Sequence, residues 1–150
     1  MKLSILFILS MFMIQCAKTE LDNPDYFIFG RYENVCLKDC SNFVKYESNN
    51  LYRDDVKILS DVITFNSNPL PLDYLSDVKF LRDNITNYMN SHTGDYGCPN
   101  CDGKGAYYVE IRKNNEVKKW KLDDDRTKIT DDATKLYLDR LITTCQQFTL

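Results

Sequence analysis

The sequence predicts an α+β fold, in which an antiparallel sheet of about four or five strands carries two helices on one face. Three observations lead to this prediction. Short aromatic segments alternate in polarity as strands do, two longer segments have apolar residues at three- and four-residue steps, and turn residues separate neighbouring strands. The order along the chain is strands, helix, strands, helix. This order favours hairpins over alternating βα units, so we expect antiparallel pairing.

The first half of the chain is predicted to form three strands. Tyr26–Asn34 is aromatic and alternating, and the shorter strands Asn42–Glu47 and Leu51–Arg53 follow it. Asn49-Asn50 is predicted to be the turn between the last two, because asparagine tolerates a positive φ better than most residues. The stretch Val56–Phe65 fits a strand or a helix.

A break at Asn68–Pro71 separates these strands from the first helix. Apolar residues from Leu75 to Met89 recur at helical spacing and predict one amphipathic helix over about residues 72–90. The next segment, Ser91–Gly105, contains four of the five glycines in the chain and is predicted to be a loop.

The second half continues with a hairpin and a final helix. Ala106–Lys113 and Glu116–Leu122 alternate in polarity on either side of an Asn-Asn pair, which is typical of a tight hairpin. Thr130 or Asp131 can cap a last helix over about residues 132–148. One face of this helix is apolar, so we expect it to pack on the sheet.

The N-terminus predicts export from the cytoplasm. Lys2 precedes the apolar run Leu3–Ile14, which is too short to cross a membrane, since a spanning helix needs about 20 apolar residues. Met13–Cys16 resembles a relaxed bacterial lipobox, although Gln15 stands where the strict motif has a small residue. The preferred interpretation is a lipidated Cys16 and a protein anchored to a membrane of the cell envelope. The alternative is a soluble secreted or periplasmic protein.

This interpretation divides the chain into three parts: residues 1–15 as the signal peptide, residues 16–25 as the lipidated cysteine and its tether, and residues 26–150 as one globular domain. Only Lys2 is charged in the signal, so the mature chain keeps 18 of 19 Lys and Arg against 22 Asp and Glu, a formal net charge of −4. That balance gives no basic footprint for nucleic acid. The run Lys118–Lys121 is predicted to protect an exposed strand edge from aggregation.

Four cysteines form the candidate site. Cys98–Gly105 matches CxxCxGxG and resembles one zinc half-site of the DnaJ-type co-chaperones, which use four copies where this chain has one. Cys36 and Cys40 could supply two further thiolates to a zinc ion. An exported protein meets an oxidising environment, which favours disulfides. We therefore expect Cys36, Cys40, Cys98 and Cys101 to form disulfides of undetermined connectivity and no cofactor to be bound, with zinc as the alternative.

Redox chemistry is a further alternative for Cys98 and Cys101. Reactive CxxC motifs begin a helix, whose dipole lowers the thiol pKa. Here glycines and Asp102 follow instead, which disfavours a reactive thiolate. Cys145 lies on the apolar face of the last helix and is expected to be buried, although a link to the loop cysteines stays open. His92 is expected at the surface after a helix end.

The sequence contains no recognisable catalytic constellation. GxSxG, HExxH and P-loop motifs are absent, and Asp123–Asp125 lacks the spacing of a calcium loop, which indicates a solvated hairpin exit. We therefore expect no enzymatic activity and a binding or structural role, with a protein or small-molecule partner that the sequence does not identify. The alternative is a periplasmic metal-binding or thiol–disulfide protein.

The arrangement as a whole resembles a known protein family. The segments YFIFGRYENVCLKDC, LYRDD, GCPNCDGKGAYYVEI and KKWKLDD precede a terminal helix, in that order. This pattern is similar to small uncharacterised lipoproteins of Bacteroidetes that have a GCPxC loop, and the likeness covers nearly the whole mature chain. The resemblance implies lipidation and a small α+β fold, and it carries no activity.

Overall fold

The computed structural model describes residues 24–33, 40–55 and 62–148. The predicted signal, Cys16, Cys36 and residues 56–61 lie outside these ranges. The described residues form one six-stranded sheet and three α-helices, so the α+β class is confirmed. The strands are β1 Tyr26–Tyr32, β2 Ser41–Glu47, β3 Asn50–Arg53, β4 Gly94–Tyr96, β5 Ala106–Lys113 and β6 Glu116–Asp123. The helices are α1 Leu75–Asp83, α2 Asn87–Ser91 and α3 Asp132–Gln147, and a 3₁₀ turn spans Arg126–Lys128.

The sheet has the strand order β3-β2-β1-β5-β6-β4. All neighbours pair antiparallel except β4 and β6, which are parallel. The β5–β6 hairpin turns at Asn114 and Asn115, both of which have positive φ as expected. The β2–β3 turn is at Ser48 and Asn49, one residue earlier than predicted.

The inner face of the sheet carries the main hydrophobic core. Side chains alternate between faces along each strand, and the set that includes Phe29, Val109 and Trp120 packs under the helices with no exposed surface. The Trp120 indole N–H donates to the carbonyl oxygens of Met89 and His92, at 2.8 and 3.1 Å. This bond ties the sheet to α2 because a buried indole N–H needs an acceptor.

The outer face carries a second, smaller cluster, formed by Ile28, Tyr32, Phe43, Ala106 and Tyr108. No helix covers this face among the described residues; Ile63 and Phe65, from the segment that follows β3, pack against the cluster instead. Gly30 lies at its centre, where a Cβ atom would come within 2.2 Å of the Asn42 carbonyl oxygen. The missing side chain lets the Phe43 and Tyr108 rings meet edge to face, with centroids 5.6 Å apart.

The predicted helix over residues 72–90 is two helices, which corrects the expectation. The Asn84 side chain donates to the Phe80 carbonyl oxygen and ends α1, and the Thr86 hydroxyl accepts from the Met89 N–H and begins α2. Apolar spacing continues across this junction, so periodicity alone hid the two caps. At the last helix, Asp131 is the cap, and its carboxylate accepts from the Thr134 N–H.

The predicted loop Ser91–Gly105 contains a strand, β4, which is a second correction. β4 pairs with residues 120–122 of β6, and the Tyr96 hydroxyl donates to the His92 carbonyl oxygen. A three-residue strand is too short for a periodic pattern to reveal. Because β4 pairs with residues 120–122 of β6, the second half of the run Lys118–Lys121 is not on a sheet edge, and the edge prediction is wrong there. No α-helix of the described residues is both long and apolar enough for a membrane span.

Candidate functional site

The loop Cys98–Cys101 lies at the end of the sheet where β5 begins and β6 ends. Both cysteines are exposed, their Cα atoms are 5.5 Å apart, and they form a disulfide. Cys40, just before β2, is also disulfide-bonded. Cys36 lies outside the described residues. The Cys40 carbonyl oxygen accepts from the Glu33 N–H at 2.8 Å, which places this cysteine at the same end of the sheet.

A buried carboxylate supports the Cys98–Cys101 loop. Asp123, expected in a solvated exit, is only 1% exposed; it accepts the Cys98 N–H at 2.8 Å and pairs with the Lys128 ammonium at 3.2 Å. This hydrogen bond holds the backbone of Cys98 against the end of β6 and so positions the disulfide loop. The neighbouring carboxyl of Asp124 has a raised pKa, because of its burial first and of the charge of Asp123 second.

The remaining sequence-predicted residues are not brought into a cluster. Among the described residues, no group of three or more His, Cys, Asp and Glu side chains could hold a metal ion. Cys145 is buried on α3 as expected, and burial raises the pKa of its thiol. His92 is exposed at the end of α2, with its ring stacked on Tyr88 at 4.6 Å.

A cleft of about 950 Å³ lies on the outer face of the sheet, between the strands and the segment that follows β3. We call it the outer-face cleft. Its apolar lining is Pro24, Tyr26, Ile28, Val62, Ile63, Phe65 and Tyr108. Its charged lining is Lys45, Glu47, Glu110, Arg112, Lys119 and Lys121. Small-molecule sites combine apolar and aromatic walls with placed polar groups, and here charged residues make up about half of the lining.

Glu110 organises the floor of this cleft. It is 6% exposed, and its oxygens accept from the hydroxyls of Tyr26, at 2.5 Å, and of Tyr108. The Lys119 ammonium, from the opposite position on β6, completes the cluster at 3.1 Å. A buried carboxylate costs much less when it is paired and hydrogen-bonded, so these three partners account for its presence.

The two tyrosines are held in their neutral, donating form. Burial, and then the hydrogen bond to Glu110, raises the pKa of Tyr26 to about 12. The pKa of Tyr108 is raised by the same two causes in the same order. Both hydroxyls therefore stay protonated and able to donate over the physiological pH range.

Two of the four cations at the outer-face cleft have carboxylate partners. Lys119 pairs with Glu110, and Lys45 pairs with Glu47 at 3.1 Å. Arg112 lies over the Tyr26 ring at 5.4 Å, and its buried Nε has no hydrogen-bond partner among the residues that the structure describes. Lys121 forms no ion pair within the part of the chain that the structure describes. The described lining of the cleft therefore has an excess of positive charge.

Sequence reasoning missed this site, although a signal was present. The β5–β6 turn fixes a register that places Glu110 opposite Lys119 and Tyr108 opposite Lys121. Alternation along both strands then puts these four residues on one face. The lysine run by itself predicts edge protection, and only its register against β5 places Lys119 opposite Glu110.

Comparisons with known proteins add no relative. The chain matches no protein-family model, and no curated protein is significantly similar to it.

Proposed function

We propose that this protein is an exported, lipid-anchored component of the cell envelope that binds a small organic molecule in the outer-face cleft. The observation that carries the binding role is the cleft itself, whose volume of about 950 Å³ and mixed aromatic and charged lining suit a ligand of that size. No catalytic step is part of the proposal.

The cleft has the rigidity that a binding site needs. Its floor consists of strand residues, and Glu110 locks Tyr26 and Tyr108 in place through hydrogen bonds. Side chains that are already ordered lose less conformational entropy when a ligand binds, so the free-energy cost of binding is lower. The rim is more open to solvent than the floor, since Val62 lines the cleft and is 72% exposed.

Binding is tested with two matched probes, 2-naphthoate and its neutral amide, 2-naphthamide. The mature protein is purified from cells in nonionic detergent and titrated by calorimetry. We expect saturable binding of at least one probe at one site. The variant Val62→Trp adds bulk at the rim and is expected to weaken that binding at least tenfold. Val62 is exposed, so the substitution leaves the core intact.

The matched control is Leu136→Trp. Leu136 is 68% exposed on α3, on the opposite side of the sheet, and this variant is expected to bind the probes as the parent protein does. Absence of binding for both probes would contradict the proposed function. Equal loss in the two variants would also contradict it, because the probe would then not occupy the outer-face cleft.

The membrane anchor is supported by the sequence alone, through the apolar run that ends at Cys16. Its test is mass spectrometry of the mature N-terminus, with and without an inhibitor of lipoprotein signal peptidase. We expect a diacyl or triacyl group on Cys16 and processing that stops with the inhibitor. An unmodified terminus at Ala17 or beyond would overturn the anchor and leave a soluble exported protein.

Thiol–disulfide exchange is the second candidate, favoured by the exposure of Cys98 and Cys101. A partner dithiol would reduce this disulfide and become a disulfide itself, with two electrons and two protons passing to Cys98 and Cys101. Thiol counting after treatment with a mild dithiol tests it. Rapid, reversible release of two thiols supports exchange, whereas resistance is expected if the bond is structural, as the adjacent Asp123 carboxylate favours.

A further inference from the structure

We infer that the ligand of the outer-face cleft is an organic carboxylate with a flat apolar body, and that Arg112 binds the carboxylate. This inference rests on the proposed function and names the chemistry of its ligand. The guanidinium of Arg112 donates no hydrogen bond and forms no ion pair among the described residues. A half-buried arginine in a cleft normally has a carboxylate partner.

The carboxylates near Arg112 are engaged elsewhere. Glu110 holds Tyr26, Tyr108 and Lys119. Glu47, which is opposite Tyr26 on β2, pairs with Lys45.

A smaller cleft of about 580 Å³ also reaches Arg112, and its acidic residues are engaged as well. Asp83 binds Arg82 through both oxygens, Glu116 pairs with Lys118 at 3.7 Å, and Asp25 accepts from the Asn114 N–H at 3.0 Å. Among the described residues no carboxylate forms an ion pair with Arg112, and this is the feature from which we infer an anionic ligand.

The surroundings of Arg112 define the rest of the ligand. The guanidinium carbon lies over the Tyr26 ring, 5.4 Å from its centroid, and the terminal N–H groups of an arginine can bind a planar oxyanion in a fork geometry. Beyond it, Ile28, Ile63 and Phe65 offer an apolar wall. A flat hydrocarbon or aromatic body fits between this wall and the tyrosines.

Charge selects a carboxylate over a phosphate monoester. Two cations of the outer-face cleft, Arg112 and Lys121, have no carboxylate partner, whereas Glu110 and Glu47 stay in the cleft as negative charges. Lys121 is opposite Tyr108, four residues from Arg112 along β5, a separation of about 13 Å at about 3.3 Å per residue. A group bound at Arg112 therefore meets one unpaired cation, whose charge a carboxylate balances and a dianion exceeds.

The test compares 2-naphthoate with 2-naphthamide, which have nearly the same shape and differ in charge. The full chain is expected to bind the carboxylate at least tenfold more tightly than the amide. In Arg112→Gln this preference is expected to fall to about twofold or less, while amide affinity stays unchanged. Arg112→Lys keeps the charge and loses the fork, so an intermediate preference is expected.

The matched control is Lys113→Gln, which removes one positive charge from the neighbouring position on the opposite face of β5 and is expected to keep the preference. 2-Naphthyl phosphate is expected to bind more weakly than 2-naphthoate. Equal affinity for the carboxylate and the amide would overturn the inference and leave the binding role standing. A preference that survives in Arg112→Gln would overturn it too, and no binding of any probe would remove the proposed function itself.

Discussion

The two faces of the sheet are built from alternate residues of the same strands, and they differ in what they bury. On β5 and β6, Val109, Trp120 and Leu122 face the helices and have no exposed surface. The residues between them on these strands, Glu110, Lys119 and Lys121, face the outer-face cleft and are charged. The inner face is apolar and closed, whereas the outer face combines rings, ion pairs and open volume.

This difference separates stability from binding. Apolar side chains packed on the inner face contribute through area removed from water, and any similar residue of the right size would contribute alike. On the outer face, the pattern of donors and acceptors around Glu110 is specific, and replacing one member leaves another without its partner. We therefore expect substitutions on the inner face to act on folding and those at the cleft to act mainly on binding.

The largest expected effect is that of Trp120→Ala on the inner face. It removes a fully buried ring and the indole N–H that binds the Met89 and His92 carbonyl oxygens. We expect the free energy of unfolding to fall by about 3–5 kcal/mol. Urea unfolding followed by circular dichroism measures this. A loss below about 1 kcal/mol would mean that the inner face is not the main core.

The next effect is that of Glu110→Gln at the floor of the cleft. The amide has one acceptor oxygen in place of two, so Tyr26 or Tyr108 loses its acceptor and Lys119 loses its ion pair. We expect a loss of about 1–3 kcal/mol in the free energy of unfolding. Lys119→Gln is the comparison, because its ammonium is exposed and the pair is expected to contribute about 1 kcal/mol or less.

Arg112→Gln is expected to change the free energy of unfolding by no more than about 0.5 kcal/mol. Its buried Nε has no acceptor to lose, and its ring contact with Tyr26 is modest. Combined with the loss of carboxylate preference, this would separate binding from stability at one residue. A large destabilisation on urea unfolding would instead assign Arg112 to the fold.

The smallest expected effect is a loss of stability at alkaline pH, which is absent at neutral pH. Burial raises the pKa of Tyr26, Tyr32 and Tyr96 from 10.0 to about 12. A pKa raised in the folded state gives stability that is present below pH 10 and lost as pH rises towards about 12. Urea midpoints measured across this window are expected to fall, and tyrosinate absorbance is expected to rise with the unfolding. Constant midpoints from pH 10 to 12 would contradict the burial of these hydroxyls.

Much of the fold could be predicted from the sequence, because in long helices and strands the spacing of apolar residues shows which face is buried. The β5–β6 hairpin and α3 agree closely with prediction, since both have clear periodicity and a turn or cap signal at the end. β4 could not be predicted from three residues, since its pairing with β6 depends on a tertiary contact. The split between α1 and α2 depends on the Thr86 cap, which does not disturb apolar spacing.

The candidate site was harder to predict for a related reason. Cysteine spacing is visible in the sequence and indicates a site at the Cys98–Cys101 loop. In the structure this loop contains a disulfide, and its Cys98 N–H donates to Asp123. The outer-face cleft depends on which strands are neighbours. Tyr26 and Glu110 are 84 residues apart in the chain and meet only because β1 pairs with β5.

The most direct test of the central claim is amide chemical-shift mapping of the full chain with 2-naphthoate. We expect the largest shifts on residues 26–28 of β1, 108–112 of β5 and 119–121 of β6, and no change on α1 and α3. Shifts confined to the helices, or an absence of saturable shifts at any residue, would contradict the claim that the outer-face cleft is the binding surface.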